Sequence, residues 1–324
     1  MKPLGIAIWG LGRHALNRIL PSISRVHEIS LIGVCSRSEK NVKEAAKKWN
    51  CYFWTDPTEM LDCVDVDVVY ISTPIGVHFE LTACALIAGK HVWCEKPLTC
   101  SLEDSKKLVS IAKKNNKMLV ENFMYLYHPQ FDRVLNYINN NGKIYSVICR
   151  FGMPLLEEPG FRNNKNLGGG AFWDIASYPV SAVVKLFANQ NVKILFSEIF
   201  RRDNSSVDNA GRAILRFSKG PTAYLEWGVG IGYKNEIDIW SEKGSFFTDK
   251  IFSKPSNFQT KYQIRDLKGN ENIETGAISE QFEDMLHFFY DVYYSSDLIK
   301  KEYQSILDRA RIMDQIINDR KLSD

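Results

Sequence analysis

Two patterns of apolar positions divide the chain. From Leu4 to about residue 121, short apolar runs of the kind a strand buried on both faces presents alternate with helical segments. Leu4 to Trp9 opens the series, and Ser30 to Cys35, Asn50 to Trp54, Val66 to Ser72, His91 to Cys94 and Lys117 to Val120 continue it. Between them Ala15 to Ile23, Glu39 to Trp49, Val77 to Ala88 and Ser101 to Asn115 read as helices. Gly89 stops the third, and Ser101 caps the fourth, with Asp104 three residues on. Strand and helix alternating in this way predict a parallel, doubly wound α/β sheet.

Past residue 122 the grammar changes. Ile144 to Phe151, Val192 to Phe200, Gly211 to Phe217, Thr222 to Val229, Glu236 to Ser241 and Lys261 to Ile264 are short β-rich segments. Lys219-Gly220-Pro221, Glu242-Lys243-Gly244 and Lys268-Gly269-Asn270 punctuate them as hairpin turns, so this second sheet is predicted to be mainly antiparallel. Strands apolar on one side, such as Thr222 to Trp227, leave a broad face to be covered by helices or by a second subunit. Ser279 to Tyr294 and Tyr303 to Asp319 read as closing helices. The predicted domains are 1–121 and 122–324.

A chain of 324 residues accommodates two cores. Its 41 basic and 38 acidic residues leave a net charge of +3, which excludes neither small anions nor sugars but favours no nucleic acid. Seven cysteines (35, 51, 63, 84, 94, 100 and 149) form no Cys-x-x-Cys pair and no Cys/His cluster at metal spacing, so a reducing compartment and no metal are expected. Only Lys2 precedes the first apolar run and no run reaches ~18 residues. A cytoplasmic location without membrane contact is the expectation.

The candidate chemistry lies at the strand ends. Gly10-Leu11-Gly12-Arg13-His14-Ala15 follows the first strand as Gly-x-Gly-x-x-Ala, in which the glycines allow a tight turn and close backbone approach to a pyrophosphate facing a helix start. After the second strand, Ser36-Arg37 stands where an NAD enzyme usually carries an acid. A hydroxyl and a guanidinium suit a 2′-phosphate, so NADP(H) is expected to be preferred, with NAD(H) possible. The fourth strand ends in Thr73-Pro74, and His78 opens the next helix as a packing or capping residue more than a catalyst. His91-Val92-Trp93-Cys94-Glu95-Lys96-Pro97 ends a buried strand in a charged pair at the edge where α/β sheets bind ligands. A solvated surface pair is the alternative. Gly168-Gly169-Gly170 leads into a helix in which Asp174 and Tyr178, four apart, share one face; an ordinary helix surface explains them equally. Phe123, Tyr125 and Tyr127 in the crossing between domains line a pocket or pack the domains together.

Taken together, the glycine loop, Thr73-Pro74, His78, Ala88-Gly89-Lys90-His91-Val92, Glu95-Lys96-Pro97-Leu98 and Gly168-Gly169-Gly170 with Asp174 and Tyr178 resemble the glucose-fructose oxidoreductase, inositol dehydrogenase and rhizopine catabolism family. The resemblance runs from Gly10 to about residue 180. It implies an N-terminal Rossmann domain, a C-terminal α/β domain with an open antiparallel sheet through which homodimers or homotetramers form, and hydride transfer on sugars or polyols. The cofactor-binding set it implies is Gly10, Gly12, Arg13, His14, Ser36, Arg37, Thr73, Pro74, His78, Glu95 and Lys96, with the Lys96-Pro97 bond cis. The family's Asp-x-x-x-His pair falls on Asp174 and Tyr178. Tyrosine in place of histidine, together with Glu121-Asn122-Phe123-Met124 and His128-Pro129-Gln130, is similar to members that reduce keto groups on nucleotide-linked deoxysugars.

Ketone reduction needs a proton as well as a hydride. Tyr178 is the expected donor, helped by Lys96, because a neighbouring ammonium brings a phenol's pKa down from ~10 and also stabilises an oxyanion. Asp174 is expected to hold a sugar hydroxyl or to orient Lys96. Which of Lys96 and Tyr178 delivers the proton stays open, as do two other readings: a sugar or inositol dehydrogenase working oxidatively, and a dinucleotide-binding regulator without turnover.

Overall fold

The computed structural model describes residues 3–322. The chain divides into two compact units, one made of the residues through Asn122 with Phe282–Leu307, the other of Phe123–Gln281 with the residues from Asp308 onward.

The first unit carries six parallel strands: β1 (Leu4–Trp9), β2 (Ile29–Cys35), β3 (Tyr52–Trp54), β4 (Val68–Ile71), β5 (His91–Glu95) and β6 (Leu119–Asn122). Their order is β3-β2-β1-β4-β5-β6, so strand succession reverses between β1 and β4 and opens a crevice at the carboxyl ends there. All of β1 and β4 is buried, as their uninterrupted apolar sequences require. The helices are α1 (Leu20–Ile23), preceded by a π-helical turn at Ala15–Ile19, then α2 (Glu39–Trp49), α3 (Pro57–Asp62), α4 (His78–Ile87) and α5 (Leu102–Lys114). Side-chain caps set three starts: Ser38 accepts the Asn41 N–H at 3.3 Å, Asp56 the Thr58 N–H at 2.8 Å and Ser101 the Asp104 N–H at 3.2 Å. The return of Phe282–Leu307 to this unit has no signature in the sequence. Phe289 packs 5.3 Å from Trp93 and Tyr293 4.8 Å from His91, ring centre to ring centre, and the Tyr303 hydroxyl donates to the Lys117 carbonyl.

The second unit is built on β7 (Ile144–Met153), β8 (Val192–Phe200), β9 (Ala210–Phe217), β10 (Thr222–Val229), β11 (Lys234–Ser241), β12 (Gly244–Asp249), β13 (Lys261–Arg265), β14 (Glu271–Thr275) and β15 (Lys321–Leu322), in the order β14-β13-β12-β11-β7-β10-β9-β8-β15. The sheet is mainly antiparallel as expected, with two parallel pairings: β7 with β10 at its centre, and β8 with β15. No hairpin joins β7 to β10. The long connection between them carries α7 (Ser177–Leu186), which packs against both strands and lies in the chain after α6 (Pro129–Asn140). The last helices are α8 (Gln281–Tyr293) and α9 (Ser296–Asn318), the latter beginning well before the expected Tyr303. Alternation along β10 puts Ala223, Leu225 and Trp227 in the core, while Tyr224 is exposed on the other face, as is Trp240 of β11.

Candidate active site

The glycine loop leaves β1 at Gly10, whose N–H donates to the Cys35 carbonyl at 2.9 Å. With φ +107° and a Cβ position 2.5 Å from the Ser72 carbonyl oxygen, this residue has to be glycine. A Cβ at Gly12, in contrast, meets nothing within 4 Å. The chain's own packing does not call for glycine there, and the exposed backbone is open to the close approach that a diphosphate needs, so the loop fits a dinucleotide. Arg13 beside it is exposed, and Ala15, fully buried, sets the following helix against the sheet. At the end of β2, Ser36 is half-buried and accepts the Ser38 N–H, while Arg37 is exposed and makes no hydrogen bond or ion pair among the described residues. That guanidinium keeps its full donor capacity for an anion.

β5 ends in a carboxylate with two partners. Glu95 Oε1 lies 3.0 Å from His14 Nε2 and accepts the Tyr70 hydroxyl of β4. Burial pushes the Glu95 carboxyl up, but His14, Tyr70 and Lys96 outweigh it and hold it below its ordinary value. His14, expected at the cofactor, is thus tied to β5 and lies edge-on to Phe282 at 5.4 Å. Lys96 follows, half-buried at the strand end, and the Lys96-Pro97 bond is cis. The Leu98 N–H donates to Glu121 at 2.9 Å and fixes the chain beyond it.

His78, assigned to the cofactor with the rest, is fully buried instead. Its ring nitrogens each lie 2.9 Å from a backbone carbonyl, Nε2 from Thr73 and Nδ1 from Pro97. Burial pushes its pKa down, against the raising pull of the two carbonyls, Glu95 and Glu121. A neutral ring donates to one of these carbonyls and packs against the other, so it sits between the loops carrying Thr73-Pro74 and Lys96-Pro97 and presents nothing outward. Thr73 and Pro74 themselves are half-buried on the loop after β4.

In the second unit the glycine run enters a π-helical turn, Phe172–Ala176, that continues into α7. The wider turn breaks the simple four-residue spacing, and the two candidate side chains have different surroundings. Asp174, 3% exposed, takes Arg162 Nε on Oδ2 at 2.6 Å. Tyr178, 8% exposed, sits among rings: Phe151 at 5.0 Å and Phe123, Tyr125 and Phe252 each at 5.9 Å. Phe123 and Tyr125 are buried, and the Tyr125 hydroxyl bonds to Ser181 at 2.6 Å. They build the Tyr178 surroundings, so of the two readings left open for them packing holds for Phe123 and Tyr125. Tyr127 is half-buried. Sequence reasoning missed Tyr70 and Arg162. A tyrosine in the otherwise aliphatic Val68-Val69-Tyr70-Ile71 was a usable signal for the first; Arg162, in an irregular loop, offered none.

Residues 4–123 match the family profile described as an oxidoreductase family with an NAD-binding Rossmann fold, and residues 139–247 match the GFO/IDH/MocA C-terminal domain. The chain belongs to the GFO/IDH/MocA family of oxidoreductases. This GFO/IDH/MocA protein is 31% identical to a dTDP-3,4-didehydro-2,6-dideoxy-alpha-D-glucose 3-reductase from Saccharopolyspora spinosa, over 81% of its own length and 80% of that chain. A reductase of the same description from Actinomadura kijaniata is 28% identical over 97% of this chain and 95% of its own. The crystal structure of KijD10, a 3-ketoreductase from Actinomadura kijaniata in complex with NADP and TDP-benzene, superposes with a TM-score of 0.94 at 25% identity, covering 99% of both chains. The same enzyme also matches as variants with one tyrosine or one lysine replaced. Among the described residues no His/Cys/Asp/Glu group could hold a metal, and no helix is long and apolar enough to cross a membrane.

Proposed function

We propose that this oxidoreductase reduces a ketone on a nucleotide-linked deoxysugar, using NADPH. The observation that carries the cofactor choice is Arg37, exposed and without a partner among the described residues, in a Cys35-Ser36-Arg37-Ser38 segment after β2 that carries no acid of its own. The relatives named as reductases, and tyrosine at position 178 in place of histidine, support the direction and the substrate. The bound dinucleotide supplies the hydride. Lys96 brings an ammonium to the developing oxyanion, Tyr178 gives the proton, and Arg162 keeps the Asp174 carboxylate fixed beside the helix that holds Tyr178. His78 and Glu95 act behind Lys96, the first by packing between the Pro97 and Thr73 carbonyls, the second by anchoring the glycine loop.

The open face of the second sheet, with Tyr224 and Trp240 exposed, is proposed to form a homodimer or homotetramer. The seven cysteines, all unpaired, suit a cytoplasmic protein. Following NADPH absorbance with dTDP-linked 3-keto sugars tests the reading, alongside NADP with free sugars and inositols. Oxidation of inositol or a free aldose with no keto-sugar reduction would instead make the chain a dehydrogenase. Tight NADPH binding with no turnover in either direction would make it a regulator.

A further inference from the structure

Asp208 lies in the connection between β8 and β9, far in sequence from the glycine run, yet it meets the start of the helix that carries Asp174 and Tyr178. Its Oδ2 accepts the Phe172 N–H at 2.7 Å and its backbone carbonyl accepts the Ala171 N–H at 3.1 Å. Amides in this position have no partner inside their own helix. The contact is possible because residue 170 is glycine: its φ is +110°, and a Cβ there would stand 2.2 Å from Asp208 Oδ1. On the other flank the Arg162 carbonyl accepts the Gly170 N–H at 2.9 Å while its side chain holds Asp174. The π-helical first turn is thus held from two sides by residues outside the helix. Such turns are rare and concentrate at functional sites.

We propose that Asp208 is a positioning residue for Tyr178: by capping the first turn it fixes where the helix enters the aromatic cluster, and so where the phenol stands. This rests on the reading of Tyr178 as proton donor. The cap needs an acceptor but no charge, since asparagine caps as well as aspartate. The charge in fact works against the fold. Burial pushes the Asp208 carboxyl up to about 6, against the lowering pull of the Phe172 amide and of Arg201. Arg162 and Arg202 line the same cavity as Asp208. A folded-state value above the unfolded one means that this carboxyl's own contribution to stability is full below about pH 4 and is lost as it ionises through about 6.

Wild type, Asp208→Asn and Asp208→Ala separate the cap from the charge. Asp208→Asn is expected to keep kcat within about threefold and to melt higher than wild type at neutral pH but not at pH 4. Asp208→Ala is expected to bind NADPH and substrate as wild type does, with kcat down about tenfold or more, since a 1 Å misplacement costs up to ~10². Asp208→Glu keeps the charge, displaces the carboxylate by one methylene and should lose kcat too; it serves if the alanine variant does not fold. Wild-type kcat in either the alanine or the glutamate variant overturns the proposal, as does an asparagine variant as impaired as alanine. The Tyr178 ring signals and Phe172 amide exchange, read by NMR without substrate, separate the two claims. If they change in the alanine and glutamate variants while wild type reduces no keto sugar, the functional reading fails and the positioning role stands; if they do not change, the positioning role fails.

Discussion

Glu95 and His14 meet at 3.0 Å, Oε1 to Nε2, and join the end of β5 to the glycine loop after β1. The residue that precedes Lys96 therefore also holds the loop that fits a diphosphate, and Tyr70 from β4 closes the junction on the same oxygen. Burial costs this carboxylate, but its partners win and its pKa lies below the ordinary value.

That sign sets a pH window. A carboxyl with a lowered folded-state pKa contributes stability above its unfolded value, ~4.3, and the contribution disappears as pH falls through the folded value. Glu95→Gln should lose on the order of 2 kcal/mol at pH 7, the scale of a hydrogen bond to a charged group. The gap from wild type should close below about pH 4. Urea midpoints across pH measure it, and a gap independent of pH refutes the charge assignment.

Arg37→Ala should weaken NADPH about tenfold or more and leave NADH nearly unchanged, because a charge-assisted contact contributes ~1.5–3 kcal/mol. Fluorescence titration of both cofactors decides it. Equal losses for the two, or NADH binding more tightly to wild type, would remove Arg37 from cofactor choice.

Lys96→Met should fold, bind NADPH and lose ~10²–10³ in kcat, the usual cost of deleting an oxyanion donor. Circular dichroism, cofactor titration and single-turnover rates together make the test. Undiminished turnover in a folded variant excludes the lysine from the chemistry.

Tyr178→Phe should preserve the packing against Phe123, Phe151 and Phe252 while removing the acid, so kcat should fall by ~10²–10⁴ with little change in melting temperature. A variant that melts much lower would identify the hydroxyl as structural. One that keeps full turnover would leave Lys96 as the proton donor.

The sequence revealed most where one residue type has one physical use. The buried runs of β1, β4 and β5, the cap Ser101, and Gly10 all stand where pattern and backbone demand placed them. It revealed least where a contact joins distant segments. The His78 ring of α4 sits between two loops, Arg162 reaches Asp174 from an irregular stretch, and β14 is mostly exposed, so neither periodicity nor spacing marks them. For Tyr125 pocket lining and packing stayed equally open because sequence gives aromaticity but not depth; it is wholly buried.

The segment Phe282–Leu307 has a consequence for synthesis. Phe289 and Tyr293 cover Trp93 and His91, and Tyr303 and Ile306 belong to the same core cluster as Val92, Leu108 and Leu119. On the ribosome the six strands emerge first, and the helices that finish their core emerge only after residues 123–281 of the other unit. A nascent chain therefore carries a six-stranded sheet with bare aromatic surface through most of its elongation, the condition in which incomplete domains aggregate or need a chaperone. A fragment cut after residue 122 keeps every strand of the dinucleotide fold and lacks part of its core, so this unit, begun first, is completed only after nearly all of the other has been made.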